Sequence, residues 1–562
     1  MPQLRYADRT LDGGRPVFAM LFACLAAWPL AGLAQAGTDA TPTSTSDVDE
    51  LLGWDAEAPA DPAPSAPLPV IEVPQRAATP APPPPTPPKN SLRIEEIVVT
   101  AQKTSQLIED VPISLSVVDQ KFIADWGLTD VREVMLFVPN VKVEEAGFFA
   151  SPRVRGFSFN NNNKAFEPPA GIALDGIPYT RVEYFNAALF DVQRIEALRG
   201  PQGTTFGKNT TAGLIHIISA NPTDEFAGYA QVQGGELERR RIEAAVSGPL
   251  VDGVVNFRLA GLWDEREGFI DNTTAALASK AAEHLRSQQR SGFRAKLHFP
   301  ELAGSDLKLS FESVEMVSGG AGAELFNASE RIQAVLRRYD PNVDFIKNNY
   351  TASIDQPDGR EVQIDSFVSE WNTSFGEWDW TALGGHSVME NQLDVDTDFS
   401  PAPAIFGHDS DRSPTSTLEL RAVSPSFEGL LGLEQLFGAN LGSSDLLIGA
   451  FYQHREIQGS GFRFRIGTLP FLELTVAGTQ DEPAETLLGL LPPALVNQLF
   501  SAIPSLPAGS DTAYEEVQQG FDQEADAIAG FGQLQWHFMP QWVFQAGLRY
   551  SQEDKSARWN SA

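Results

Sequence analysis

The sequence is poor in cysteine, in positive charge and in long apolar runs. Its 562 residues contain one cysteine, Cys24, in the N-terminal apolar segment, so a mature chain without that segment can form no disulfide. Lys and Arg total 41 against 74 Asp and Glu, which gives a formal net charge of −33 at pH 7. Because a field of this sign repels nucleic acid and anionic lipid alike, we expect no nucleic-acid partner.

Patterns that carry catalysis are also missing. The seven histidines show no zinc-type spacing, and the sequence has neither a Gly-x-Ser-x-Gly elbow nor a cysteine nucleophile. His216 follows a glycine-rich turn in a β-prone run, where a structural histidine is a better interpretation than a metal ligand. The sequence therefore predicts a protein that is not an enzyme and uses neither a metal nor a cofactor.

The one long apolar run has the pattern of a secretory signal. Arginines precede a mostly apolar stretch at 17–33, and Ala34-Gln35-Ala36 fits a small-x-small cleavage site. Residues 1–36 are therefore predicted to be a signal peptide, with an uncleaved membrane anchor as the alternative. No other stretch of about 20 apolar residues is present, which leaves a periplasmic, secreted or β-barrel protein.

The next regions differ in composition. Residues 37–90 are rich in Pro, Ala, Thr and acidic residues, which cannot bury enough apolar surface to fold, so a disordered spacer is expected. Residues 91–103 turn to β-branched side chains, and 104–223 have the mixed pattern of a compact α/β domain. Helical spacing at 119–137 suggests core positions at Phe122, Trp126, Val131, Val134 and Phe137.

From 224 to 562 the sequence alternates between polar and apolar residues. Phe257 and Leu259 share one face of a strand while Arg258 lies on the other. Repeated segments with aromatics on one face and large polar side chains on the other favour a membrane β-barrel over a soluble β-sandwich. Eleven strands are predicted, at 226–234, 239–248, 254–265, 290–300, 305–316, 362–375, 377–392, 415–425, 444–458, 528–539 and 541–556.

The most specific pattern is a glycine-rich stretch at 194–213. Its glycines permit tight turns and the close approach of two backbones. A phosphate-binding loop does not fit, because Gly203 and Gly207 are too close together and Asn209 stands where a magnesium-binding Ser or Thr is needed. The stretch therefore favours a tightly packed domain over a nucleotide site.

These residues, in their order and spacing, resemble the plug domain of TonB-dependent outer-membrane receptors. The resemblance implies a β-rich fold, with an N-terminal mixed α/β plug inside a transmembrane antiparallel β-barrel. It also implies a location in the outer membrane of a Gram-negative bacterium, in contact with its lipid. The residues that match the plug motifs are Arg153, Arg155, Gly156, Asp175, Gly176, Arg194, Glu196, Arg199, Gly200, Pro201, Gly203, Gly207, Asn209 and Gly213.

A β-prone segment after the spacer carries a second resemblance, to the TonB box of these receptors. Such a segment can add a strand to the sheet edge of a partner. The resemblance implies that the partner is TonB, the periplasmic protein of an inner-membrane energy complex. The alternative is that the segment is only the first strand of the plug. Its residues are Glu95, Glu96, Ile97, Val98, Val99 and Thr100.

The resemblance also implies ion pairs between the plug and the barrel. By motif position, the arginines are Arg155 and Arg199, while Glu419 and Glu553 lie on the polar faces of barrel strands. Solvated charges are the alternative for the two glutamates. Because buried pairs add little net stability but are costly to break singly, such pairs could latch the plug.

The strand count departs from the family pattern. A barrel of this family has about 22 strands, so eleven is half. The family normally ends in a strand with a terminal aromatic residue, whereas this sequence ends in Trp559-Asn560-Ser561-Ala562. We therefore expect a barrel that is truncated and cannot form a sealed transporter on its own.

The function implied by the resemblance is active import of a scarce ligand. A ferric siderophore is the commonest ligand of the family, and cobalamin, haem, carbohydrate or aromatic nutrients are alternatives. A passive pore or adhesion barrel would need neither a plug nor a TonB box, and a secreted hydrolase would need a catalytic site. Ligand contacts are expected from plug loops such as 157–166, although the asparagines at 160–163 are also typical of a solvated turn.

Overall fold

The protein is described here from a computed structural model. The described residues are 98–100, 102–104, 106–146, 149–158, 164–186, 188–274, 281–326, 328–431, 442–467, 470, 471, 473, 474, 514–539 and 541–561. They belong to one compact unit, Glu95–Ala484 together with Pro492–Ala562. The predicted signal peptide and spacer lie outside the described residues.

The predicted plug contains short strands and helices. Five of the strands form one sheet in the order β3-β9-β10-β7-β8, in which β7 and β10 are parallel and the other neighbours antiparallel. Short 3₁₀ helices lie at Ile108–Asp110 and Val182–Asn186. The elements are β1 (Val98–Val99), β2 (Gln106–Leu107), β3 (Leu115–Asp119), α1 (Gln120–Asp125), α2 (Val131–Met135), β4 (Val141–Ala146), β5 (Phe149–Val154), β6 (Phe157–Ser158), β7 (Ala170–Leu174), β8 (Ile177–Tyr179), β9 (Val192–Arg199) and β10 (Gly213–Ser219).

The stretch predicted as helical, 119–137, forms two short helices. Each begins after an aspartate cap: Asp119 accepts from the amide of Phe122, and Asp130 from that of Glu133. Val131 and Val134 are buried as predicted. Trp126 and Phe137 are not core residues, because Trp126 is 61% exposed and Phe137 40% exposed. Trp126 directly follows α1 and Phe137 lies just after α2, where the two rings pack against each other with centroids 5.0 Å apart.

Most of the described residues after the plug form one large antiparallel sheet, and a small separate sheet has the order β15-β14-β18. Eleven strands follow each other in chain order, β11-β12-β13-β16-β17-β19-β20-β21-β23-β24-β25, and β22 pairs with β23. The bounds are β11 (Ala227–Gly234), β12 (Arg240–Val251), β13 (Val255–Arg266), β14 (Ile270–Asn272), β15 (His284–Leu285), β16 (Ser287–Leu302), β17 (Ser305–Gly319), α3 (Glu330–Tyr339), β18 (Thr351–Ala352), β19 (Gly359–Phe375), β20 (Trp378–Asp396), β21 (Ile405–Val423), β22 (Phe427–Glu428), β23 (Ser443–Gly467), β24 (Tyr514–Met539) and β25 (Trp542–Ser561).

The two faces of the large sheet differ as the alternation predicts. On β25, Phe544, Leu548 and Tyr550 are exposed, while on β13 the polar residues Asn256 and Arg258 are buried. The buried face packs against the plug, since one core cluster contains buried side chains of both. Sheet residues of that cluster include Ala260, Leu262, Val314, Met316, Val362, Ile364 and Met389.

All eleven predicted strand segments overlap strands of the large sheet. The largest boundary errors lie at the ends joined by long connections: β21 begins at Ile405 instead of 415, and β24 at Tyr514 instead of 528. At these ends of the strands, the side chains on the outward face are polar, like His454 and Glu456 on β23. The backbone pairing between neighbouring strands nevertheless continues. The alternation of apolar residues therefore stops before the strands do.

Within the described residues, no helix has the length and apolar character needed to cross a membrane.

Candidate functional site

The predicted TonB box is described in part. Val98 and Val99 form β1, which pairs antiparallel with β2 through Val98 opposite Leu107 and Val99 opposite Gln106. Val99 is fully buried in a small cluster with Leu198 and Leu214, whereas Val98 is 47% exposed. Glu95, Glu96 and Ile97 lie outside the described residues. We call Val98, Val99 and Thr100 the coupling segment. Its Val99 side chain is buried in the plug, whereas the Val98 side chain before it is open to solvent.

The coupling segment is tied to the plug sheet by a buried glutamate. The amide of Thr100 donates to Oε1 of Glu196 at 3.1 Å, and Nε of Arg194 donates to the same oxygen at 2.8 Å. Burial disfavours the charged form of Glu196, but His216 and Arg194 outweigh it, so the pKa of Glu196 lies below its usual range. Glu196 is therefore an ionised acceptor that holds the segment through a charge-assisted bond.

The same glutamate faces His216 on the neighbouring strand. The amide of Gly176 donates to Nε2 of His216 at 3.1 Å, so the ring hydrogen is assigned to Nδ1. Nδ1 of His216 lies 3.6 Å from Oε2 of Glu196, too far for a hydrogen bond, and both atoms are buried.

Replacing Glu196 should loosen the coupling segment. Glu196→Gln keeps the shape but weakens the bond to Thr100 by about 1 kcal/mol, because the acceptor is no longer charged. With Val99→Cys as a reporter, we expect thiol labelling to become about fivefold faster. The only native cysteine, Cys24, lies in the predicted signal peptide, so the label reports one site.

The matched control for this labelling experiment is Glu144→Gln. Glu144 lies in the same domain, but its ion pair with Arg153 is half-exposed. Equal labelling rates in the two variants would contradict the anchoring role of Glu196.

The glycine-rich motif makes the close contacts that its composition predicted. A Cβ on Gly213 would lie 2.4 Å from the carbonyl oxygen of Leu198, so only glycine fits there. Asp175 and Gly176 have φ of +48° and +85° and form the turn between β7 and β8. The turns after β9 contain Gly200 (φ +107°), Pro201, Gly203, Gly207 (φ +84°) and Asn209 (φ +65°), and the turn after β5 contains Arg155 (φ +50°) and Gly156 (φ +85°).

The arginine partners predicted for Glu419 and Glu553 are wrong. Arg199 donates to the carbonyl oxygens of Pro139 and Leu115 at 3.1 Å and 3.4 Å. Both acceptors belong to the plug, so these bonds lie within that domain. The guanidinium of Arg155 lies against the backbone at Gly200. Arg199 ends β9 and Arg155 lies in the turn after β5, and among the described residues the two glutamates pair with other basic side chains.

Both glutamates nevertheless join the sheet to the plug, through lysines. Glu419 pairs with Lys103, and Glu553 pairs with Lys208 at 2.6 Å. Burial is the largest influence on Lys103 and lowers its pKa to about 8, against the opposing charge of Glu419. Lys103 lies three residues after Thr100, so its ion pair with Glu419 joins the start of the plug directly to strand β21 of the large sheet.

A larger ion-pair network lies deeper and was not predicted. Arg181 donates to Glu183 at 2.9 Å and to Asp411 of β21 at 3.0 Å, and Arg360 of β19 donates to Glu183 at 2.7 Å. All four side chains are buried. The charges of Arg181 and Arg360 overcome the effect of burial and hold the pKa of Glu183 far below its usual range.

Further pairs repeat this pattern around the plug. Asp191 accepts from Nε of Arg258 at 2.8 Å, Asp175 lies 3.1 Å from Lys296, and Glu167 lies 2.6 Å from Arg455. A signal for the sheet residues exists in the sequence, since Arg258 and Lys296 stand on the polar face of their strands. Their partners carry no such signal, because a charge in a plug loop has no periodic neighbour to mark its direction.

The predicted ligand loop is described only at its ends. Phe157 and Phe166 are exposed, and Lys164 pairs with Asp409 and Asp411 of β21. The four asparagines at 160–163 lie outside the described residues. The ends of the loop therefore offer aromatic surface next to a fixed charge pair.

Metal-ligating side chains gather at one place among the described residues. His454, Glu524 and Asp526 have donor atoms within 4.8 Å of one another. Both ring nitrogens of His454 already face carboxylates, those of Asp526 and Glu456, at 3.0 Å each. This arrangement is that of an ion-pair cluster on the outward face of the sheet.

Comparison with known proteins agrees with this arrangement of domain and sheet. Residues 108–214 match the family model of the TonB-dependent receptor plug domain. The pesticin receptor of Yersinia pestis is 32% identical over 164 residues, 28% of this chain and 24% of that receptor. The ferripyoverdine receptor of Pseudomonas aeruginosa is 29% identical over 189 residues, 31% of this chain and 21% of that receptor. The match thus spans about a quarter of either relative.

Solved structures extend the likeness of fold beyond the plug. The ferric yersiniabactin uptake receptor of Yersinia pestis has a TM-score of 0.59 at 17% identity, covering 80% of this chain and 58% of that one. The outer-membrane ferripyoverdine receptor of Pseudomonas aeruginosa has a TM-score of 0.57 at 16% identity, covering 83% and 55%. Residues 108–214 therefore match the plug domain of TonB-dependent receptors, and the described strands that follow have a fold similar to that of these solved receptors.

Proposed function

We propose that this protein takes up a ferric siderophore across the outer membrane with energy supplied by TonB. The observation that carries the proposal is a plug domain whose N-terminal strand is partly exposed and held by a few defined bonds, while buried ion pairs hold the domain against the sheet. Such a plug blocks passive flow until the bonds are broken. This arrangement favours an energised receptor over a passive pore.

TonB coupling is supported by the form of the coupling segment. In the described residues, β1 belongs to a sheet of two strands, β1 and β2. A two-residue pairing is weak, so a strand of TonB can compete for the same backbone groups or extend the pairing toward residues 95–97. The bond from Thr100 to Glu196 then transmits tension into strand β9, an interior strand of the plug sheet.

The ligand class is supported by the relatives. Curated relatives include a pesticin receptor and a ferripyoverdine receptor, and the similar solved structures include a ferric yersiniabactin uptake receptor and a ferripyoverdine receptor. A vitamin B12 transporter of Vibrio vulnificus is also similar, with 24% identity over 178 residues. Since the matches to the pesticin and ferripyoverdine receptors cover 28% and 31% of this chain, uptake of cobalamin, haem, carbohydrate or aromatic nutrients is the alternative that the experiment must separate.

Uptake by cells with and without the intact gene tests the ligand class. Under iron limitation we expect induction of the gene, and one member of a panel of radioiron-labelled siderophores to enter at least about tenfold faster when the gene is present. Labelled cobalamin and haem serve as controls for the alternative. The proposal would be contradicted if expression of the gene did not change with iron supply and if cells with and without the gene took up every siderophore at the same rate.

A further inference from the structure

A small cavity lies where the plug meets the large sheet, at the end from which long connections leave. Its volume is about 40 Å³, and it borders the ends of the connections at 267–286 and 320–358. One carboxylate, that of Glu183, reaches its wall. The arginines that line it are Arg132, Arg286, Arg290 and Arg360. The wall of the cavity is therefore positively charged, in a chain whose net charge is −33.

Arg290 of β16 is buried in this wall, with 8% of its side chain accessible. Among the described residues, its guanidinium donates to one acceptor, Oδ2 of Asp130, at 3.1 Å. That oxygen also accepts from Arg132 at 3.2 Å, and Oδ1 of Asp130 accepts from the amide of Glu133. Because a guanidinium carries several N–H groups in a rigid fork, Arg290 can donate to a further acceptor in the cavity. Buried donors are normally bonded, so an acceptor is expected there.

Other side chains of the wall set its shape and its opening. Arg360 of β19 is held by Glu183, to which it donates at 2.7 Å. Arg132 has 31% of its side chain accessible, so a group from solution can reach the cavity beside it. The hydroxyls of Ser287 and Ser318 add neutral donors. The cavity therefore presents donors on several sides and is open beside Arg132.

The size and the donors of the cavity suit one carboxylate group. A volume of about 40 Å³ equals roughly three water molecules at about 10–15 Å³ each, which is too small for a whole ferric chelate. Water would satisfy the N–H groups but would not balance the positive charge of the wall. A carboxylate does both, because it accepts two parallel charge-assisted bonds from one guanidinium. The cavity is therefore best filled by a carboxylate that projects from a larger molecule.

A chain of ion pairs links the cavity to the predicted ligand loop. Glu183, in the wall of the cavity, accepts from Arg181 at 2.9 Å. Arg181 shares Asp411 of β21 with Lys164. Lys164 belongs to the loop at 157–166. The loop and the cavity therefore lie at the same end of the plug.

We propose that this cavity binds a free carboxylate of the imported ferric siderophore, with Arg290 as the donor of two parallel bonds. The inference rests on the proposed function and narrows it to chelates that carry such a group. The iron centre then stays outside the cavity, on the side of the loop at 157–166 and the long connections. Chelates without a free carboxylate bind more weakly, because they leave the donors of Arg290 unbonded.

Binding of matched probes to the purified full chain in detergent tests the proposal. The probes are radioiron-loaded citrate-based, hydroxamate and catecholate siderophores, and each member with a free carboxylate is paired with a form in which that group is an amide. We expect the carboxylate form to bind at least about tenfold more tightly than the amide form. Arg290→Lys keeps the charge but cannot form two parallel bonds. It should remove most of this difference and leave the affinity for the amide form within about twofold.

The matched control is Arg240→Gln. Arg240 lies on β12, and its pair with Glu238 is exposed, with side chains 67% and 63% accessible. We expect this variant to keep the full preference for the carboxylate form. If Arg290→Lys does not fold, Arg132→Gln takes its place, because Arg132 is partly exposed and lines the same cavity. It should weaken the preference at least about threefold.

Equal affinity of the unaltered protein for the two forms would overturn the proposal, as would fastest import of a siderophore that has no free carboxylate. In either case the proposed function stands, whereas it fails if no siderophore enters the cells. Saturable binding of millimolar inorganic phosphate, with no preference between the two chelate forms, would assign the cavity to a free anion and would also overturn the proposal.

Discussion

Val98→Pro should abolish transport while leaving ligand affinity within about twofold of the original. Proline removes the amide hydrogen at position 98 and restricts the backbone, so no partner strand can pair through this residue. Val98 is half-exposed and its pairing involves only β2, so the plug core keeps its packing. Radioligand binding to cells at 0 °C measures affinity, and uptake in energised cells measures transport.

Two controls complete the Val98 experiment. Val98→Ile keeps the amide and the β-branched shape, so we expect it to retain transport. Hydrogen exchange of β9 and β10 should match the unaltered protein and show that the plug remains folded. Transport by Val98→Pro within about twofold of the original would sink the TonB-box assignment, and the segment would then be only the first strand of the plug.

Arg181→Met should lower the free energy of local opening of the plug next to the large sheet by about 3 kcal/mol, which is at the low end for a broken buried ion pair. The change leaves Glu183 and Asp411 buried with one fewer cation, and both are held by other partners: Glu183 by Arg360 and Asp411 by Lys164. Those remaining partners limit the loss. Hydrogen exchange of β8 and of the 3₁₀ helix at Val182–Asn186 measures the local free energy of opening.

Arg412→Met is the matched control for Arg181→Met. Arg412 neighbours Asp411 in the sequence, but its pair with Glu390 is exposed, with side chains 48% and 59% accessible. Exposed pairs of this kind contribute about 0–1 kcal/mol. Opening free energies that agree within about 1 kcal/mol between the two variants would refute a load-carrying role for Arg181.

The large sheet was predictable because its information is local and repeated. A strand with one face in lipid and one on the plug must alternate, and the alternation locates a strand wherever both faces are chemically distinct. It fails where both faces are polar, which is why β21 and β24 begin earlier than predicted. α3 was also missed, although Ser329 accepts from the amide of Ile332 at its start and is a cap that the sequence could have suggested.

Of the two partners in each ion pair between sheet and plug, only the sheet residue could be predicted from the sequence. Strand periodicity placed Glu419 and Glu553 on the inner face, and both do contact the plug. Their partners depend on how the plug is rotated within the sheet, which no local pattern encodes. The motif arginines drew the prediction away from Lys103 and Lys208, although Lys208 lies inside the glycine-rich stretch itself.

The spacing between Thr100 and Lys103 sets an order of events under load. Tension applied before residue 98 first peels β1 from β2, one pair at a time, because antiparallel strands pulled from one end open like a zip. It then meets the clamp of Thr100 on Glu196, and next the clamp of Lys103 on Glu419 in the wall. Because these two contacts lie in series, three residues apart, they take up a brief pull at the N-terminal end of the plug. Only a sustained pull reaches the inner strands of the plug sheet.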